Sequence, residues 1–247
     1  MTWSRLVGSE LRKLTSTKLP WAFVGVLVLI SALIATAVIF GTDMDGSKAF
    51  VSTAADQQSL MAFAWNATMG AGLFGAIAVA REYGHGTVVP MFLTTPRRHR
   101  AVLAQYTAVL VGGGLLGLLG GAMAVGAVAL SLPTTEFAFL VSAADVARVV
   151  AAAALAGAAG ALLGAGIGAL VRNTGGAVTG AVVALIIAPP LIVQMTNDAS
   201  WVPSTLANVL SGVGDEVSVP AAIAGLLAWA IVPAAIGLVA VERRDVV

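Results

Sequence analysis

Few side chains in this 247-residue chain could make or break bonds, and their spacing argues against it. There is no cysteine, which removes thiol nucleophiles, thiolate metal sites and disulfides. The two histidines, His85 and His99, lie in one stretch between apolar runs and not within them, where they read as solvated or interfacial side chains. The acids Asp56, Glu82, Asp145 and Asp198 are scattered and offer no acid–base pair. Gly41-Thr42-Asp43-Met44-Asp45-Gly46-Ser47-Lys48 has the outline of a phosphate-binding loop. A Walker A loop, however, needs Lys directly after its second glycine, then Ser or Thr. The order is reversed, and two aspartates would repel phosphate. A membrane-embedded enzyme is therefore disfavoured, and any nucleotide must be held by another chain.

The elements that surround these residues belong to a membrane. The chain is 59% hydrophobic and 10% charged, with a mean hydropathy of +0.96, against roughly 45–50% and about 25% in soluble domains. A net charge of +1 leaves no electrostatic footprint for nucleic acid. Six apolar runs match the roughly 20 residues a bilayer requires: 21–40, 60–80, 101–132, 149–171, 174–196 and 217–241. None contains Asp, Glu, Lys, Arg or His. The third would measure about 48 Å and reads as one helix that tilts or projects. The expected fold is an all-α polytopic membrane protein of six transmembrane helices, a single transmembrane domain over 1–247.

Charge sets the expected orientation. Of 13 Lys and Arg residues, only Lys48 and Arg148 fall on one face of this six-span arrangement. Cytoplasmic loops carry the Lys/Arg excess, so both termini are expected inside. Ala35-Thr36-Ala37 mimics a signal-peptidase site, but it lies within an apolar run too long for a signal peptide, which reads as a retained span.

An uncharged membrane interior argues against a proton-driven carrier, which needs a group to titrate at depth. The polar side chains Thr36, Asn66, Thr68, Tyr106 and Gln194 are candidates for lining a path. Glycine recurs every four residues at Gly113, Gly117 and Gly121, at Gly160, Gly164 and Gly168, and at Gly176 and Gly180. That spacing predicts faces where helix backbones approach closely. Arg172-Asn173 and a Gly175-Gly176 turn should join spans four and five as a tight hairpin. Pro189-Pro190 and Pro233 should kink spans five and six.

Two further segments carry amphipathic signals. Over residues 1–19, Trp3, Leu6, Val7, Leu11 and Leu14 share a helical face, with Arg5, Ser9, Arg12 and Lys13 opposite. The spacing predicts an interfacial helix with its basic face toward anionic lipid, turned into the membrane at Pro20. From Arg81 to Arg98, Gly84 and Gly86 allow a turn, Thr87 is a good N-cap, and Val88, Met91 and Phe92 give an apolar face before Pro96. Such a face suits a helix that docks on a partner.

Together these segments carry a family resemblance. Glu10-Leu11-Arg12-Lys13-Leu14, with Thr15-Ser16-Thr17 and Trp21, is similar to the elbow helix of the permease subunits of ABC-2 type ABC transporters, in their compact six-span bacterial form. Arg81-Glu82-Tyr83, Gly86-Thr87 and Pro96-Arg97-Arg98 are similar to that family's cytoplasmic coupling loop between spans two and three. The chain departs from the pattern at Pro90 and at Gln105, where many relatives have Lys. The stretch 201–213 resembles the family's short external helices between spans five and six.

The resemblance implies a subunit of the bacterial plasma membrane with no catalytic residue or cofactor of its own, ATP and Mg being bound by a separate ATPase subunit. It implies a second permease copy or a paralogous permease alongside, membrane lipid around them, and export of an amphiphilic or lipophilic substrate. Arg81, Glu82, Tyr83, Gly86, Thr87, Val88, Met91, Phe92, Pro96 and Arg97 would form the ATPase contact. A non-transporting scaffold or signalling subunit is the alternative.

Overall fold

The computed structural model describes residues 3–43, 46–84, 86–87 and 98–243, which are helical with no strand among them. Helix α1 (Trp3–Thr15) is followed by α2 (Leu19–Phe40), whose first turn takes Pro20 where a missing N–H costs nothing. Then come α3 (Ala54–Met61), α4 (Ala64–Gly84), α5 (Arg98–Ser131), α6 (Ala143–Val171), α7 (Thr174–Thr196), α8 (Pro203–Ser211) and α9 (Val219–Arg243). Six helical segments are long and apolar enough to cross a membrane: α2, α3 with α4, α5, α6, α7 and α9. The chain is built as a multi-pass membrane protein.

Several ends differ from those read off hydropathy. The second span breaks at Ala62 and the fully buried Phe63, and it runs on past Arg81 to Gly84 instead of stopping at residue 80. The fourth span begins six residues early, because Ser142 caps α6 by accepting the Asp145 N–H at 3.2 Å. Its far end falls at Val171, where the apolar run stops, but the turn after it is shorter than expected. Arg172, at φ 57°, closes α6, and Asn173 caps α7 by accepting the Gly176 N–H at 3.1 Å. The hairpin turn is thus Arg172-Asn173, and Gly175 and Gly176 already belong to the next helix. The third span is one unbroken helix, as expected.

Helix α6 is the hub, and small residues are the reason. Gly113, Gly117 and Gly121 of α5 all face α6, where added methyl groups would meet Gly157, Ala153 and Val150. Gly160, Gly164 and Gly168 face α4, against Thr68, Gly72 and Ala76, and Gly166 faces α9 at Pro233-Ala234. At Gly164 a Cβ would fall on the carbonyl oxygen of Gly72, a backbone atom with nowhere to go. Lipid is as apolar as leucine, so helices in it gain by packing closely rather than by leaving water. The prolines act differently. Pro189 and Pro190 cannot donate to Leu185 and Ile186, and α7 widens into a π turn over Val183–Ile187 just before them. Pro233 is absorbed within a continuous α9.

The face carrying Lys48 and Arg148 is tied together by side chains. Lys48 donates to the carbonyls of Val38 and Ile39, the last turn of α2. Arg148 donates to Leu210 and Val209 at 3.0 and 2.8 Å, the last turn of α8. Each cation thus satisfies orphan carbonyls at the negative end of a helix dipole. Gln57, fully buried, donates to Val51 and Ala138 and accepts from Leu140 N–H, so one amide clasps three segments.

Candidate functional site

At the opposite face α1 lies against α5, and the best-buried carboxylates among the described residues meet there. The stripe that α1 buries is Leu6, Glu10 and Leu14; Trp3 remains exposed. Helix α1 thus turns part of its apolar face onto the bundle and carries a carboxylate within it. Four-residue spacing places Glu10 in line with Leu6 and Leu14, a signal visible in the sequence. Val7 and Leu11 flank that stripe half-buried, while Arg12 is exposed.

Glu10 and Glu82 are each only 9% exposed, and both depend on Lys13. The Lys13 ammonium sits 2.8 Å from Glu10 and 3.6 Å from Glu82, joining α1 to the end of α4. Thr87 supplies the rest. Its hydroxyl donates to Glu82 Oε2 at 2.6 Å, and its N–H donates to the Glu82 carbonyl at 3.0 Å. Gly86, at φ 67°, permits that reversal, and its N–H reaches the Tyr83 carbonyl at 3.2 Å. The hydrogen bonds of Thr87 close α4, and the helix it was expected to open lies outside the described residues. Arg81, Glu82 and Tyr83 likewise lie in the last turn of α4 rather than in a loop. Val88, Pro90, Met91, Phe92, Pro96 and Arg97 lie outside the described residues.

Gln105 of α5, 5% exposed, lines the same cleft with Arg81, so three elements converge around a space of about 10 Å³, room for about one water. Burial holds the Glu10 carboxyl above its ordinary pKa; the Lys13 ammonium opposes that, and the nearby Glu82 charge adds to it. Next to this cleft, Arg172 lies over the Tyr83 ring, 5.4 Å from its centroid, and donates to the Ala240 carbonyl at 3.3 Å. One guanidinium therefore bridges α4, the α6–α7 turn and α9.

The other acids are occupied with local structure. Asp56 forms a capping box with Thr53, Asp145 accepts from Ser142, and Asp198 accepts from Ser200 N–H at 2.8 Å. Hydrogen bonds from the Ser200 hydroxyl and N–H hold the Asp198 carboxyl below its usual range. Of the path candidates, Thr36 and Thr68 donate to the carbonyls of Ala32 and Ala64 in their own helices. Thr36, Asn66 and Gln194 are exposed, and Thr68 is buried against Gly160. Asn66 borders a cavity of about 270 Å³ among α2, α4 and α5, while Tyr106 borders a separate one between α5 and α9. The Tyr106 hydroxyl is buried beside Gly237 without a hydrogen-bond partner among the described residues.

Compared with known proteins, the chain matches no family model and no curated protein.

Proposed function

We propose that this chain is the permease subunit of an ABC-2 type exporter, moving an amphiphilic or lipophilic substrate with energy from a separate ATPase subunit. The observation that carries this reading is the distribution of buried charge. The apolar cores of the six spans hold no Asp, Glu, Lys, Arg or His. The two best-buried carboxylates among the described residues, Glu10 and Glu82, instead collect with Lys13 at one end, where α4 hands over to the segment leading into α5. A push delivered to that segment reaches α4 through Glu82 and α1 through Lys13. In this reading α1 is the elbow helix, the segment after Thr87 is the coupling contact, and ATP with Mg belongs to the partner.

Co-expression with the cognate ATPase should give a stable complex whose reconstituted vesicles move substrate with ATP. Glu82→Gln, which removes the charge facing Lys13, should leave ATP hydrolysis near wild type and cut transport at least about tenfold, the equivalent of about 1.4 kcal/mol of coupling. Wild-type transport by Glu82→Gln would refute the coupling role. Transport by the purified chain with no ATPase would refute the reading as a whole, and a complex that forms but moves nothing would assign the chain to a scaffold instead.

A further inference from the structure

The groove between α5 and α9 has the dimensions and polarity of a lipid seat. Leu103 and Leu110 of α5 face Ile231 and Leu238 of α9 across a cavity of about 350 Å³, floored by Leu162 of α6. Leu103, Leu110 and Ile231 keep 39%, 37% and 52% of their surface exposed, so the groove opens sideways out of the bundle. Its interior offers nothing polar. The Thr107 hydroxyl already donates to the Leu103 carbonyl at 2.8 Å, and that of Tyr106 is buried beneath Gly237.

One end is closed and charged. His99 and Leu103 are four residues apart on α5, as Leu238 and Glu242 are on α9, so each pair continues the groove's own face by one turn. His99 Nδ1 lies 3.5 Å from Glu242 Oε1, bridging the two helices at that point. Arg98, Arg100 and Arg243 adjoin the bridge in sequence, and Arg100 is exposed on the side of Thr107. From His99 to Leu110, or from Glu242 back to Ile231, helix rise gives about 16 Å. That is about half of a 30 Å hydrocarbon core, the depth of one leaflet.

We propose that this groove holds an acyl chain of one acidic phospholipid, its phosphate at Arg100 and its chain end near Leu110 and Ile231. A hydrocarbon occupant matches the apolar lining, the single-leaflet length matches one lipid chain, and the arginines select an anionic headgroup. The site does not depend on the transport reading, because a scaffold with this bundle would bind the same lipid.

The full chain, purified in mild detergent and titrated with phosphatidylglycerol or phosphatidylcholine, can be examined by native mass spectrometry and thermal unfolding. One phosphatidylglycerol should stay bound per chain and raise the melting temperature more than phosphatidylcholine does. Ala235→Trp, which fills the groove from α9, should abolish retention, and Leu103→Trp blocks it from α5 should the first variant fold poorly. Arg100→Gln should keep a lipid but reduce the preference for phosphatidylglycerol by about tenfold, the value of one charge-assisted hydrogen bond. Equal retention of the two lipids by the wild-type chain would overturn the proposal, as would undiminished phosphatidylglycerol binding in a folded, groove-filled variant. A dimer that Ala235→Trp dissociates would give the groove to a second copy of the chain and overturn it as well.

Discussion

Glu10 and Glu82 share one ammonium, and both have given up most of their water to do so. A half-exposed lysine cannot fully offset two desolvated carboxylates, so the docked state favours a proton on Glu10. The sign of the linkage follows. A carboxyl whose pKa is raised on docking binds its proton more tightly when docked. Docking is therefore strongest below the ordinary value of 4.5 and weakens as pH rises through the raised one. Hydrogen exchange of the α1 amides, corrected for intrinsic rate, should show protection declining over that interval. Glu10→Gln should flatten the decline while keeping α1 docked, and an identical slope in both proteins would count against a titrating Glu10. That Glu10 needs a partner was legible from its place among Leu6 and Leu14. That the partners are Lys13 and Glu82 was not, since 72 positions separate the two acids along the chain.

At the scale of elements, glycine spacing marked the contact faces of α5 and α6, but not what each would meet, and at Gly176 and Gly180 of α7 an added methyl group would meet only side chains. The sets on α5 and α6 at four-residue intervals each line one face, and the structure assigns them to α6 and α4. Position by position the consequences diverge. Gly164→Ala would press a methyl group onto a backbone carbonyl of α4, and overpacking of this kind costs roughly 1–3 kcal/mol or more. Gly126→Ala on α5 meets nothing within 4 Å and should be neutral or slightly stabilising. Thermal unfolding of the two variants under one condition checks this, and equal melting temperatures would mean the α4–α6 seam is looser than described. Helix ends were less legible than faces. Hydropathy ended the second span at residue 80, yet α4 continues to Gly84 because Lys13 and Thr87 stabilise Glu82 from outside the helix.

For the whole molecule the open quantity is orientation, and the absence of cysteine makes it measurable without background. Ser16, in the turn between α1 and α2, and Glu136, after α5, are both exposed. With the arginine-rich face inward, a membrane-impermeant maleimide should label Glu136→Cys on intact cells and Ser16→Cys only after lysis. The reverse pattern would invert the assignment. The two basic residues on the other face weigh little against it, since Lys48 and Arg148 are committed to capping helix ends.

The sequence by itself determined how many helices could span a membrane, that their apolar cores would be uncharged, and where glycine would shape their contacts. These are sums and periods over neighbouring residues, and each run carries its own hydropathy wherever it packs. Only the tertiary structure decided that α6 is the hub, that Glu10 and Glu82 share a lysine, and that α5 and α9 leave a leaflet-deep groove between them. Those are meetings of residues far apart in the chain, and they depend on which backbones come close enough to touch.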